Sequence, residues 1–130
     1  MAHLPKSATD EDLIRFVDKW AMLMEKEDYE AAFAFTAHVR EMEWTPNLIR
    51  EVVKAYGDAR SSQRITLLGR PSDVEQRKEV RRWTRNSYGV IGEIWYDLNI
   101  DGVASDLTAT FDIREGNDGL TVSLNDIHVM

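Results

Sequence analysis

The fold is decided by residues 92–130, GEIWYDLNIDGVASDLTATFDIREGNDGLTVSLNDIHVM. In the first part of this stretch the even-numbered positions 94–100 are apolar and the odd-numbered ones are polar, except for Trp95. That alternation is the period of a half-buried strand. The dipeptide Asp101-Gly102 follows directly, and between alternating runs it is the strongest short-range signal for a two-residue hairpin turn. A second alternating run and, after the loop 116–119, a third complete an antiparallel meander of three predicted strands.

Closing the hairpin on that dipeptide fixes the expected register, because a slip of one residue would turn every side chain to the other face. On the polar face, Asp97 is then predicted to lie opposite Asp106, and Trp95 opposite Thr108. Two carboxylates directly opposite each other destabilise a strand pair. We therefore expect an arginine of residues 81–85 to bridge them, or both to turn into water. A metal ion held with His128 is disfavoured, because a sheet face offers its ligands no enclosure.

The third strand contains one irregularity. Its apolar phase slips by one residue near Asn125-Asp126, and such a slip inside a regular alternation indicates a β-bulge. The bulge returns Val129 to the core face and places His128 next to Thr108 on the polar face. The candidate binding residues on this polar face are Trp95, Asp97, Asp106, Thr108 and His128.

The N-terminal half predicts three helices. Thr9 followed by three acidic residues starts the first, and Asp28 caps a second that extends to residue 39. The pair Thr45-Pro46 opens a third, which ends near residue 57. Each helix carries an apolar stripe that must pack on a partner, and the apolar face of the meander supplies one.

Three remaining segments complete the expected architecture. Residues 1–8 are predicted to be a loose arm, and residues 64–68 a short strand. Residues 72–87 are ambiguous between helix and strand, and weak alternation from residue 80 onward favours a strand there. We expect a single α+β domain, residues 1–130, with N-terminal helices packed on a curved, mostly antiparallel sheet.

Composition restricts the possible functions. The 130 residues contain no cysteine, which excludes disulfides, thiol catalysis and Cys-ligated zinc. The formal net charge of -7 opposes general binding to nucleic acid or to anionic membranes. The basic run 77–85 is interleaved with acidic residues, so we expect it to be internally paired rather than a nucleic-acid patch. No stretch has the apolar length of a signal peptide or membrane span, and the expected location is the cytoplasm.

The order of the elements carries a resemblance to a known superfamily. Helices first, with YEAAF at residues 29–33 just after an acidic turn, and then a curved antiparallel sheet resemble the cystatin-like α+β cone of the NTF2-like superfamily. The resemblance implies a cone between sheet and helices, which holds acid and base residues in steroid isomerases and small dehydratases. It also implies sheet-to-sheet dimers. The end of the chain, residues 101–108 and 126–129, is similar to a family of small uncharacterised bacterial proteins, which implies no activity.

Acid–base catalysis in such a cone is disfavoured by the residues that point into it. None of the predicted inward positions of the meander is a carboxylate or a histidine, and proton transfer near neutral pH needs a group with a suitably tuned pKa. A general base would have to come from the helices, where His38, Glu41 and Glu43 are the candidates. The sequence therefore favours a protein that is not an enzyme and needs no cofactor.

Two surfaces remain as candidate sites. The first hypothesis is an interaction or accessory protein that binds a protein partner, or a second copy of itself, through the polar face with Trp95 as the aromatic anchor. The open alternative for Trp95 is that the segment around Trp83 or the N-terminal arm covers it. Replacing Trp95 or Asp97 should then disrupt association and leave thermal stability almost unchanged. The alternative is a cone that binds a small apolar ligand or is weakly catalytic. Its lining residues would be Trp20, Tyr56, Tyr96 and Phe111.

Overall fold

The structure is a computed structural model of the chain, and it describes residues 3–39, 43–86 and 89–129. Three helices precede five strands. In chain order these elements are α1 (Asp10–Glu25), α2 (Tyr29–Phe35), α3 (Pro46–Ala55), β1 (Ile65–Thr66), β2 (Lys78–Arg82), β3 (Val90–Ile100), β4 (Val103–Gly116) and β5 (Gly119–Val129). All strand pairs in the sheet are antiparallel. The predicted α+β class, with helices before an antiparallel sheet, is confirmed.

The helices begin where the sequence predicts. The hydroxyl of Thr9 accepts a hydrogen bond from the N–H of Asp12, whose carboxylate accepts one from the N–H of Thr9. This reciprocal capping box satisfies donors that the first turn leaves unpaired. Asp28 caps α2 and Thr45 caps α3 through the same kind of side-chain acceptor. Helix α2 ends earlier than predicted, because the chain turns extended and Ala37 donates its N–H to a carbonyl of β5.

The sheet is built on β3. Strands β3, β4 and β5 form the predicted meander, while β1 and β2 pair with different parts of the other edge of β3. The ambiguous segment therefore does contain a strand, but it lies at Lys78–Arg82, starting two residues earlier than predicted and ending sooner. Residue 87, the last of that segment, lies outside the described residues.

An irregularity in β4 shifts the hairpin register by two residues. The pairs next to the turn are as predicted, but Asp97 lies opposite Thr108, so its predicted pairing with Asp106 is wrong. Trp95 correspondingly lies opposite Thr110. Because the shift is even, the paired residues beyond the irregularity keep their predicted faces and only their cross-strand neighbours change.

The irregularity predicted in β5 is confirmed. The register shifts between Thr110 and Phe111 of β4, and Asn125 is the extra residue between their partners on β5. His128 lies opposite Thr108, as the sequence predicts. A bulge of one residue is visible in the sequence because it inverts the apolar phase that follows it.

The core lies between the helices and the inner face of the sheet. Its large, fully buried side chains are Trp20, Phe111, Leu13, Met24, Ile49, Ile65, Ile94, Leu98, Ile113, Leu120, Val17 and Val53. Val129, predicted to face the core, is 57% exposed because it is the last residue of β5.

The arm predicted to be loose is held to the sheet, since Leu4 and Leu120 exchange two backbone hydrogen bonds. None of the helices in the described residues is long and apolar enough to cross a membrane.

Candidate functional site

The polar side of the meander is the side away from the helices, and we call it the outer face. The buried residues of the three helices belong to the same apolar cluster as the inward-facing residues of the sheet. The outer face carries the other set of alternating side chains, which are mostly polar. Its main members on β3, β4 and β5 are Glu93, Trp95, Asp97, Thr108, Thr110, Asp112, Asp126 and His128.

A buried carboxylate organises this face. Asp97 is only 6% exposed, and its two oxygens accept three hydrogen bonds. The donors are the indole N–H of Trp95 at 2.8 Å, the hydroxyl of Thr108 at 2.7 Å and the backbone N–H of Arg77 at 2.7 Å. Such bonds offset much of the cost of removing a carboxylate from water. The arginine of residues 81–85 that was expected to do this is not among the donors.

The indole of Trp95 is contacted on the face of its ring as well as through its N–H group. The guanidinium carbon of Arg77 lies 5.0 Å from the centre of the Trp95 ring, within cation–π range. On another side the ring of His128 meets Trp95 edge to face, with centroids 6.0 Å apart. The Nδ1 atom of His128 lies 3.1 Å from a carboxylate oxygen of Asp126. The set Arg77, Trp95, Asp97, Thr108 and His128 is called the Trp95 patch below.

Asp106 lies near this patch, although it is not the cross-strand neighbour of Asp97 as predicted. Its carboxylate accepts a hydrogen bond of 2.5 Å from the hydroxyl of Tyr56. Burial raises the pKa of Tyr56, and the bond to Asp106 raises it further. Asp106 also borders a groove of about 240 Å³ at the edge of the patch. The residues lining this groove are Val74, Glu75, Arg77, Asp97, Asp106 and Thr108.

The residues of the predicted cone are mostly packed together. Trp20 and Phe111 are fully buried, and their rings meet edge to face with centroids 5.2 Å apart. Tyr96 is 2% exposed, and its hydroxyl donates to Asp18 at 2.5 Å. Burial raises the pKa of Tyr96, and the bond to Asp18 adds to the shift. A ligand at this place would have to displace packed side chains, and a binding role for these residues stays a prediction.

Two of the three residues considered as general bases, His38 and Glu43, lie within the described residues. His38 is exposed, and its ring stacks on Phe33 with centroids 3.9 Å apart. Glu43 is exposed, and Glu41 lies outside the described residues. Within the described ranges, no three histidine, aspartate or glutamate side chains converge as metal ligands would.

Sequence reasoning missed the role of Arg77. The sequence places it in a basic run that is expected to be solvated and paired with its own acidic residues. One of the expected internal pairs is present, since Arg81 lies 3.7 Å from Glu79. Two other members of the run pair with α1 instead, since Lys78 lies 3.7 Å from Asp18 and Arg82 lies 2.7 Å from Asp10. The contact of Arg77 with Trp95 joins residues far apart in the chain and has no local signal.

Comparison with known proteins gives one match. A family model described as "Domain of unknown function (DUF7668)" matches residues 21–130, which include all five strands and the whole Trp95 patch. No curated protein and no solved structure matches the chain. The resemblance to the NTF2-like superfamily gains no support from these comparisons and stays a prediction. The predicted resemblance of the C-terminal region to a family of uncharacterised proteins is confirmed, because the matched family is a domain of unknown function.

Proposed function

The chain belongs to the DUF7668 family, a domain of unknown function, and we propose that it is a non-enzymatic interaction protein. In this proposal a protein partner binds to the outer face of the sheet, with Trp95 at the centre of the contact. The observation that carries the proposal is the rigid setting of Trp95, whose N–H is bound by Asp97 and whose face is covered by Arg77.

A rigid Trp–Arg pair suits a binding surface for energetic reasons. Tryptophan and arginine are the residue types most enriched among those that dominate binding energy. Side chains already ordered in the free protein lose little conformational entropy when a partner arrives. The bonds to Asp97 order Trp95 in this way. Asp97 and Thr108 are themselves buried, so the surface that a partner would meet consists of Arg77, which is exposed, and of the half-buried Trp95 and His128.

The charges of the side chains that line the groove beside the patch favour a partner with a basic contact surface. Glu75, Asp97 and Asp106 line it together with a single cation, Arg77. The whole chain is acidic, with a formal net charge of -7. Complementary charge speeds encounter and excludes wrong partners. We therefore expect the contact surface of the partner to combine an apolar group over Trp95 with basic side chains at the groove.

The test is a comparison of immobilised variants exposed to an extract of the source cells. Trp95→Ala should lower the capture of a specific partner by roughly 30-fold or more, because an anchoring residue contributes about 2 kcal/mol or more. The matched control is Met22→Ala on α1, which removes an exposed apolar side chain on the helix side and should leave capture unchanged. Equal capture by wild type and Trp95→Ala would contradict the proposal.

Asp97 is a poorer probe than the sequence suggests. It was expected to be replaceable without loss of stability, but it is buried and binds three donors. Leaving a buried donor without its partner costs about 1–3 kcal/mol. Asp97→Ala would leave Trp95, Thr108 and Arg77 without their acceptor at once. Trp95→Ala removes only one of the three donors to Asp97, so it is the milder probe, and its melting temperature is measured beside the capture.

A further inference from the structure

Strand β2 has one free edge. The N–H of Asp97 donates to the carbonyl of Arg77, and the N–H of Trp83 donates to the carbonyl of Ile91. In an antiparallel pair the backbone N–H and C=O groups of successive residues point to opposite edges of the strand. In β2 these groups point toward β3 at the odd-numbered residues and toward the free edge at the even-numbered ones. Among the strands of the described residues, none pairs with that second side of β2.

The other edge of the sheet differs from this one. Along β5, Leu4 and Ala37 form backbone hydrogen bonds with the strand. Further on, the indole of Trp44 donates to a carbonyl of β5, and the carboxylate of Asp126 accepts the N–H of the following residue. Proteins cover exposed strand edges in such ways to prevent pairing with other chains. Among residues 3–39, 43–86 and 89–129, none donates or accepts a comparable backbone bond at the even-numbered residues of β2.

We propose that β2 pairs antiparallel with β2 of a second copy of this chain, about a two-fold axis at Val80. The pairing joins the two sheets into one continuous sheet. A symmetric contact of this kind is the commonest basis of a homodimer. It uses the edge of β2, and of the Trp95 patch only Arg77 takes part in it, so Trp95 and His128 of each copy stay open to a different partner.

Charge selects this register. Within one copy Glu79 and Arg81 lie 3.7 Å apart. With the axis at Val80, Glu79 also lies opposite Arg81 of the partner subunit, and the same contact occurs a second time by symmetry, so the four charges alternate in sign. Opposite charges directly across an antiparallel pair stabilise it, and like charges destabilise it. An axis moved by one residue in either direction would still allow the backbone bonds, but it would place Glu79 opposite the partner's Glu79 or Arg81 opposite the partner's Arg81.

The ends of the paired strands are complementary as well. The same axis brings Trp83, which is 43% exposed, opposite Arg77 of the partner subunit. One side of the Arg77 guanidinium lies on Trp95 of its own chain, and a second indole next to the cation is favourable. On the inner side Lys78 comes opposite Arg82 of the partner subunit. Those like charges are already neutralised within each copy, since Lys78 pairs with Asp18 and Arg82 pairs with Asp10.

The first test is the mass in solution of the full chain, measured by light scattering over a range of concentrations. Wild type should reach twice the 15.0 kDa of one chain. Val80→Pro should stay at the mass of one chain, because proline removes the central N–H of the new pair. The fold should survive, since that N–H points away from β3 and proline is tolerated on edge strands. Far-ultraviolet circular dichroism verifies the fold.

A charge exchange tests the register. Glu79→Arg alone places like charges opposite each other at both symmetric contacts, and it should weaken dimerisation about tenfold. Adding Arg81→Glu to the same chain restores opposite charges and should restore the dimer. A double variant that dimerises no better than the single one would overturn the Val80 register.

Three further results would overturn the proposal. The first is a wild type that stays monomeric at the highest concentration at which it is soluble, and the second is a Val80→Pro variant that dimerises like wild type. The third is a dimer that dissociates with Trp95→Ala, because the subunits would then meet through their outer faces. Retention of the dimer by Trp95→Ala supports pairing at β2, and it leaves the capture experiment on the outer face as a separate test.

Discussion

At the scale of single residues, the stability of the outer face depends on the hydrogen bonds and ion pairs that its carboxylates form. Asp97 is buried with three hydrogen-bond donors. Asp112, which is part of the same face, lies opposite Glu93 and has one cation nearby, Arg114 at 3.7 Å. Burial raises the pKa of Asp112, and the charge of Arg114 offsets only part of that shift. The two carboxylates therefore affect stability in different ways.

The raised pKa of Asp112 in the folded state predicts how the free energy of unfolding depends on pH. The folded protein holds this proton more tightly than the unfolded chain, so the stability that the protonated group contributes is lost as the pH rises through the folded pKa. Asp112→Asn should therefore stabilise the protein near neutral pH, by at most about 1 kcal/mol. Below the ordinary value of 3.8 the variant and wild type should have similar stability.

Melting temperatures measured across that pH range test the prediction at Asp112. The matched control is Asp118→Asn in the exposed loop between β4 and β5, which should change the melting temperature little at any pH. A variant Asp112→Asn that is less stable than wild type at neutral pH would show that the ion pair with Arg114 outweighs the cost of burial.

At the scale of the elements, β3 is the strand on which the sheet depends. It pairs with β1, β2 and β4, and at Gly92 the backbone of β2 approaches it closely. A Cβ added at Gly92 would lie 2.3 Å from the carbonyl oxygen of Arg81. The close approach therefore requires glycine at this position in order to keep β2 in the sheet.

Gly92→Ala should separate β2 from β3. The expected loss is about 1–3 kcal/mol in the free energy of unfolding, as for other overpacked sites, and backbone amides of β2 should exchange their hydrogens faster. Denaturant unfolding and hydrogen exchange measure the two effects. Gly116→Ala is the control, because the nearest atom to its new Cβ would be 4.0 Å away. Equal stability of both variants would mean that β2 can shift without cost.

At the scale of the whole molecule, one aromatic contact links the helices to the sheet. Trp20 of α1 and Phe111 of β4 are both fully buried and meet edge to face. Their rings occupy the middle of the core, where a ligand cavity would lie in a hollow cone. The packing of these two side chains therefore contributes to the stability of the fold.

Phe111→Ala should cost about 3–5 kcal/mol in the free energy of unfolding, the range for a large aromatic side chain removed from a packed core. That is a large part of the stability of a small domain, which totals about 5–15 kcal/mol. Denaturant unfolding monitored by tryptophan fluorescence gives the value. The control Leu68→Ala removes a side chain that is 79% exposed and should change little. A loss below about 1 kcal/mol would indicate a loosely packed core.

Features that depend on neighbouring residues can be predicted from this sequence. The caps at Thr9, Asp28 and Thr45 lie where a side-chain acceptor precedes an apolar stripe. The bulge at Asn125 is visible because it inverts the alternation, and it correctly places His128 opposite Thr108. These features are local, so short-range hydrogen bonding and side-chain period are sufficient to specify them.

Other features arise only when distant segments pack together. The two-residue shift in β4 leaves the alternation intact, so no pattern in the sequence distinguishes Asp106 from Thr108 as the neighbour of Asp97. The bond from Arg77 to Asp97 joins segments 20 residues apart. The filling of the core by Trp20 depends on how α1 lies on the sheet. The chain alone therefore determines the elements and their faces, and the tertiary packing determines which side chains meet, because register and contact depend on long-range geometry.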